Sequence, residues 1–223
     1  MLGWLIRTAS SSIGKKALMA LTGLLLIGFL VVHLAGNLTF YMDGDGAAFD
    51  SYAETLESNP LLPLAEFGLL VLFVTHIVLA LRVTKQNRDA RKSRYAVRAT
   101  AGGSTAGSRS MVITGIVLLV FLVVHIMDFR LQNDGTESMA ALVREELSAP
   151  LGAGLYAVAM LALGLHVSHA FKSAMQTLGC NHPKYTPLIE KASLGLGIVL
   201  GLGFLSFPLV IFFMGGSAAG GQA

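Results

Sequence analysis

Five apolar runs decide what this chain can fold into. They read as Ala17–Tyr41, Leu61–Val83, Met111–Phe129, Leu151–Phe171 and Ala192–Met214. Each is about the length a helix needs to cross a hydrocarbon core of roughly 30 Å. In lipid every backbone N–H and C=O must be paired within the protein, which leaves helices or closed barrels, and runs this continuous are helices. Composition agrees. Of 223 residues, 54% are hydrophobic and 13% charged, about half the charged share of a soluble domain. The expected fold class is all-α integral membrane, in three parts. Residues 1–16 form an interfacial segment, 17–214 a five-helix transmembrane domain, and 215–223 a flexible tail. The first run is longer than the apolar core of a cleavable signal and is expected to stay in the protein.

Lys and Arg placement predicts the orientation. Arg7, Lys15 and Lys16 precede the first run. Arg82, Lys85, Arg88, Arg91, Lys92, Arg94, Arg98 and Arg109 lie between the second and third, and Lys172, Lys184 and Lys191 follow the fourth. The alternate loops are acidic, with Asp43, Asp45, Asp50, Glu54 and Glu57 in one and Asp128, Asp134, Glu137, Glu145 and Glu146 in the other. This places the N-terminus in the cytoplasm and the C-terminus outside. The net charge of +3 belongs mostly to the cytoplasmic loops and implies no nucleic acid. Trp4, among Leu2, Leu5 and Ile6, suits the headgroup layer. The basic stretch 84–110 is either a loop touching anionic lipid or a docking surface for a soluble subunit. A single cysteine, Cys180, excludes an intrachain disulfide. It also excludes a self-contained iron–sulfur cluster, which usually needs four cysteines.

Four histidines stand inside four of the runs: His33, His76, His125 and His166. An ionisable side chain in a membrane span is costly and calls for a partner. The ordinary partner is another helix, through a hydrogen bond. The first and third runs share an echo, Phe29-Leu30-Val31-Val32-His33 and Phe121-Leu122-Val123-Val124-His125. His76 stands six residues before Arg82, as His166 does before Lys172. The chain therefore reads as two parallel helix hairpins plus a fifth helix, a known membrane device. At 1.5 Å per residue, His33 and His125 lie roughly 12 and 6 Å short of the outer face, and His76 and His166 roughly 10 Å short of the inner face. Two depth-matched pairs on different helices are what two bis-histidine haems need. His169 shares a face with His166 at i+3. It is open to bonding a haem propionate, a quinone or a backbone carbonyl. His182, in Cys180-Asn181-His182-Pro183, reads as a surface residue. Gly23, Gly28 and Gly36, with Gly195, Gly197, Gly201 and Gly203, serve either small-residue helix packing or room for a flat macrocycle.

The whole chain resembles the cytochrome b558 subunit of succinate dehydrogenases and fumarate reductases, the single-chain dihaem membrane anchor. Ser12-Ile13-Gly14-Lys15-Lys16, His33-Leu34-Ala35-Gly36-Asn37, Leu62-Pro63-Leu64-Ala65-Glu66 and His76 followed by Arg82 carry part of the likeness. The most specific stretch runs from His166-Val167-Ser168-His169 to Ser173-Ala174-Met175-Gln176-Thr177-Leu178-Gly179. Ala170 stands where the family often has glycine. The resemblance implies two haem b groups, the outer on His33 and His125 and the inner on His76 and His166. It implies a flavoprotein subunit and an iron–sulfur subunit on the cytoplasmic side of a bacterial inner membrane. Menaquinone is the implied quinone. Glu66 is the candidate for its proton transfer, while Asn37, His169, Arg82 and Lys172 are candidates for haem or quinone surroundings. A higher oligomer of the complex is compatible with this picture. Two alternatives stay open: the cytochrome b subunit of a hydrogenase or formate dehydrogenase, and a proton-coupled transporter with histidine relays. A transporter would usually show helices broken near the midplane, whereas only Pro208 is interior to a run.

Overall fold

The computed structural model describes residues 3, 7, 10–89, 106–131 and 138–219. Trp4 and its apolar neighbours, most of the basic stretch 84–110, Asp134, Glu137 and residues 220–223 lie outside the described residues. The described chain is all-helical, with no strand. Five helices are long and apolar enough to cross a membrane. These are α1 (Ser12–Asn37), α3 (Leu62–Asp89), α4 (Ala106–Ile126), α6 (Pro150–Thr177) and α7 (Thr186–Ala219). Two short helices, α2 (Ala47–Glu57) and α5 (Met139–Ser148), lie between them in sequence.

Helix boundaries follow local chemistry. Ser11 caps α1, its hydroxyl accepting from the Gly14 N–H at 3.0 Å. Pro150 opens α6, where its missing N–H costs nothing. Gly179, with φ +86°, follows the end of α6, a left-handed conformation only glycine adopts readily. α3, α6 and α7 run several residues beyond the apolar runs at the basic end, to Asp89, to Thr177 and back to Thr186. Hydropathy marks where lipid stops, but backbone hydrogen bonding continues past that point. α7 also continues to Ala219, taking in the first part of the stretch expected to be a flexible tail.

The acidic segments expected as loops are built instead around α2 and α5. Their apolar sides are buried: Phe49, Ala140, Val143 and Leu147 join Phe40 of α1's trailing turn and Phe207 and Ile211 of α7 in one cluster. Asp50 of α2 caps α5. Its carboxylate accepts from Ser138 Oγ at 2.6 Å and from the Ala140 N–H at 2.8 Å. Arg144 of α5 returns the contact, donating to the carbonyls of Asp45 at 2.6 Å and Gly44 at 3.2 Å while lying over the Phe40 ring. The two helices form a lid on one end of the bundle.

α1, α3, α4 and α6 surround an interior. α1 packs on α3, α4 on α6, and α1 on α6. α3 and α4 are not packed side by side. An ion pair, Arg130 Nε to Glu66 Oε1 at 2.7 Å, links that side. α7 lies along α6 in the most extensive helix contact of the fold. Glycine makes this closeness possible: a Cβ at Gly201 would stand 2.9 Å from the Gly164 Cα, and one at Gly197 would stand 2.6 Å from the Gly164 carbonyl oxygen. Of the two readings of the α7 glycines, these positions follow small-residue packing. Ser193, 1% exposed, lies on the same crossing. Its hydroxyl donates to the Ser168 carbonyl at 2.7 Å and accepts from the Lys172 N–H at 3.1 Å. A side chain of α7 is thus inserted into the hydrogen-bond ladder of α6.

Candidate functional site

The interior histidines fall on the diagonals of the four-helix arrangement. His33 on α1 and His125 on α4 meet ring to ring, centroids 5.9 Å apart and planes at 80°, although α1 and α4 are not a closely packed pair. Each ring stacks on the phenylalanine four residues earlier, His33 on Phe29 at 5.2 Å and His125 on Phe121 at 5.5 Å. Residues at i and i+4 share a helix face, which gives the sequence echo a physical reason. Phe204 of α7 closes over His33 at 5.7 Å, and Phe129 and Tyr156 flank His125.

His76 on α3 and His166 on α6 occupy the other diagonal. Each is tied to a threonine of its own hairpin. Thr22 Oγ1 lies 3.2 Å from His76 Nδ1, and Thr114 Oγ1 lies 3.1 Å from His166 Nδ1. Both threonines are buried, at 7% and 5% exposure. The following glycines bring the imidazoles against the helices. A Cβ at Gly23 would stand 3.2 Å from His76 Cε1, and one at Gly115 would stand 3.6 Å from His166 Cε1. Thr22 and Thr114 each precede the next interior histidine of their helix by eleven residues. The two diagonals are therefore separated by roughly 16 Å along the bundle.

A third tie reaches His125. The Tyr156 hydroxyl donates to Asp128 Oδ2 at 2.9 Å and lies 3.5 Å from His125 Nδ1. Asp128 is brought there by a π-helical turn, Met127–Leu131, that follows α4. None of Thr22, Thr114, Tyr156 and Asp128 was singled out in the sequence as a site residue. The signal for the threonines was present: Thr22-Gly23 and Thr114-Gly115 extend the echo eleven residues upstream of His33 and His125.

For His33 and His125 the ring spacing can be compared with that of two imidazoles sharing one metal. At a metal–nitrogen distance of about 2.0–2.1 Å, two imidazoles on opposite sides of one metal hold their centroids roughly 6 Å apart. The His33–His125 separation of 5.9 Å fits that requirement. Among the described residues no group of three or more His, Cys, Asp or Glu gathers to hold a metal ion. The ligand sets on offer are pairs.

The other candidates are placed as follows. Asn37 donates from Nδ2 to the His33 carbonyl at 2.7 Å, so it secures the helix end beside His33. Glu66, in the first turns of α3, is engaged with Arg130 through both carboxylate oxygens, at 2.7 and 3.3 Å. Arg82 is exposed on α3, two turns past His76. Lys172 pairs with Glu190 of α7 at 2.6 Å. His169, half-buried on α6, lies between His166 and Lys172. His182 is exposed in the turn between α6 and α7. Compared with known proteins, the chain matches no family model, no curated protein and no solved structure.

Proposed function

We propose that this chain is the dihaem cytochrome b membrane anchor of a succinate:menaquinone oxidoreductase, passing electrons between a cytoplasmic iron–sulfur subunit and menaquinone. The observation that carries the haem part is the pairing of His33 with His125 at 5.9 Å, together with the matched threonine ties on His76 and His166. The succinate part rests on the sequence resemblance, above all the stretch from His166 to Gly179.

On this reading His33 and His125 hold the outer haem and His76 and His166 the inner one. Two haems, when bound, supply one-electron redox centres at two depths of the membrane. The chain binds and orients them. Phe29, Phe121, Phe204 and Tyr156 wall the outer pair with rings and keep water from it. Thr22 and Thr114 hold the inner imidazoles. The positive-inside distribution of Lys and Arg puts the inner pair toward the cytoplasm, next to the basic stretches Arg82–Arg109 and Lys172–Lys191 that would receive the iron–sulfur subunit. Arg82 brings positive charge to that end, suited to propionates, and Lys172 would have to leave Glu190 to do the same. Glu66 and Asn37 flank the outer end. The Glu66 carboxylate would have to leave Arg130 to exchange a proton with a quinone.

The test is a reduced-minus-oxidised spectrum of the purified complex with haem quantified per chain. Two b-type haems are expected, reduced on adding succinate through the co-purified soluble subunits. His33→Ala or His125→Ala should remove one haem, and His76→Ala or His166→Ala the other. Absence of haem would refute the reading. Two haems reduced by hydrogen or formate, but not by succinate, would move the chain to the other cytochrome b class.

A further inference from the structure

Resting on the haem-ligation reading above, we propose that Thr22 and Thr114 are a matched pair of positioning residues that set the ring tautomer and plane of His76 and His166. The His33/His125 site is set by other means.

A threonine Oγ–H has one hydrogen to donate and two lone pairs to accept with. In a helix interior it turns back to the carbonyl one turn earlier. Thr22 Oγ1 lies 2.9 Å from the Leu18 carbonyl oxygen and 3.1 Å from that of Met19. Thr114 repeats this, at 3.0 Å from the Ser110 carbonyl oxygen and 3.2 Å from that of Met111. The single hydrogen is spent on the backbone, so each hydroxyl meets its histidine with a lone pair. His76 and His166 must then carry their proton on Nδ1 and donate it. A neutral imidazole protonated on Nδ1 has a bare Nε2, the atom that ligates a metal.

This is the arrangement in which an outer hydrogen bond fixes a ligand's tautomer and orientation and raises its basicity. It acts on both ligands of one site and from equivalent positions in the two hairpins. Both threonines are buried, so water has no ready route to replace a lost hydroxyl. The other diagonal is held by other residues: His33 lies between Phe29 and Phe204, and His125 Nδ1 lies 3.5 Å from the Tyr156 hydroxyl, which donates to Asp128. Changes at Thr22 or Thr114 should therefore reach one haem and leave the other as an internal control.

The experiment compares the full-length, haem-loaded chain with Thr22→Val and Thr114→Val, which keep shape and remove the hydroxyl, and with Thr22→Ser and Thr114→Ser, which keep the hydroxyl. Three readouts are taken: potentiometric titration of each haem, electron paramagnetic resonance of the oxidised haems, and haem retained on dilution. The valine variants should raise the potential of the inner haem, because its ligands donate less electron density. They should change its resonance position, which reports the relative planes of the two imidazoles. They should weaken its retention by about 10–100-fold. The outer haem should not move, and serine should restore wild-type values. Should a valine variant fail to accumulate, alanine removes the same hydroxyl without adding bulk and is read in its place. Unchanged inner-haem potential and resonance in a chain that still binds two haems would overturn this inference alone. A wild-type chain without haem would overturn it together with the reading it rests on.

Discussion

Gly197→Ala probes the closest approach of α6 and α7. A Cβ there would stand 2.6 Å from the Gly164 carbonyl oxygen, 2.7 Å from the Ser168 Cβ and 2.9 Å from its Cα. Two of these three atoms are backbone, so no side-chain rotation relieves the clash. Reaching the 3.4 Å at which ordinary contact begins requires α6 and α7 to part by about 0.8 Å. Overpacking of this kind costs about 1–3 kcal/mol. The same separation stretches the bond from Ser193 to the Ser168 carbonyl, now 2.7 Å, which adds about 1 kcal/mol. Gly195→Ala, two residues away on the same helix, is the control. Nothing lies within 4 Å of its Cβ, and alanine is favoured over glycine in a helix by up to about 1 kcal/mol. The two variants should therefore differ by about 2–4 kcal/mol, with Gly197→Ala the less stable. Unfolding of the detergent-purified protein by SDS, followed by far-ultraviolet circular dichroism, measures this. Equal midpoints for the two variants would refute the view that the α6–α7 crossing sits at glycine contact.

Two further outcomes follow from the lid. Asp50→Ala removes two of the bonds at the start of α5, one from Ser138 and one from the Ala140 N–H, and leaves the Ser138 cap on Ala141. The loss should be about 1.5–3 kcal/mol, typical of a bond to a charged group, read as increased hydrogen exchange confined to α5 and α2. Burial, then the neighbouring Asp128 and Glu145, hold the Glu146 carboxyl above its ordinary value of 4.5. A raised carboxyl opposes folding once it must ionise, so the penalty is absent below the ordinary value and grows as pH rises through the folded one. Glu146→Gln should therefore stabilise the protein at pH 7 and leave it unchanged below the ordinary carboxyl range, checked by the same SDS titration at the two pH values.

Long-range uniform signals were legible in the sequence, and short composite ones were not. The five spanning helices followed from continuous apolar runs, since lipid permits little else. The grouping of His33 with His125 was suggested by depth, because rise per residue converts position into height. Rotation about the helix axis was not legible, and rotation decides that Tyr156 and Asp128 reach His125. The π turn at Met127–Leu131 changes that rotation without leaving any mark in hydropathy. α2 and α5 were missed because Ala47–Glu57 and Met139–Ser148 carry many acidic residues. Charge was read as solvent exposure, while the apolar sides of Phe49, Val143 and Leu147 recur at helical spacing within the same segments. Thr22 and Thr114 look like ordinary polar interruptions of an apolar run until their eleven-residue distance to a histidine is compared between the two halves.

The diagonal placement of the histidines has a consequence for how the molecule holds together. One hairpin supplies His33 and His76, and the other supplies His125 and His166. Neither half of the chain owns a complete pair at either level. If the peptide were severed between α3 and α4, each fragment would keep one imidazole for each level and lack its counterpart. Anything bridging a diagonal would then bind only the reunited fragments. By linkage, its binding free energy would be added to their association. Filling one level would lower the concentration at which the halves stay joined, and would thereby favour filling the other, with no change of conformation passing between them.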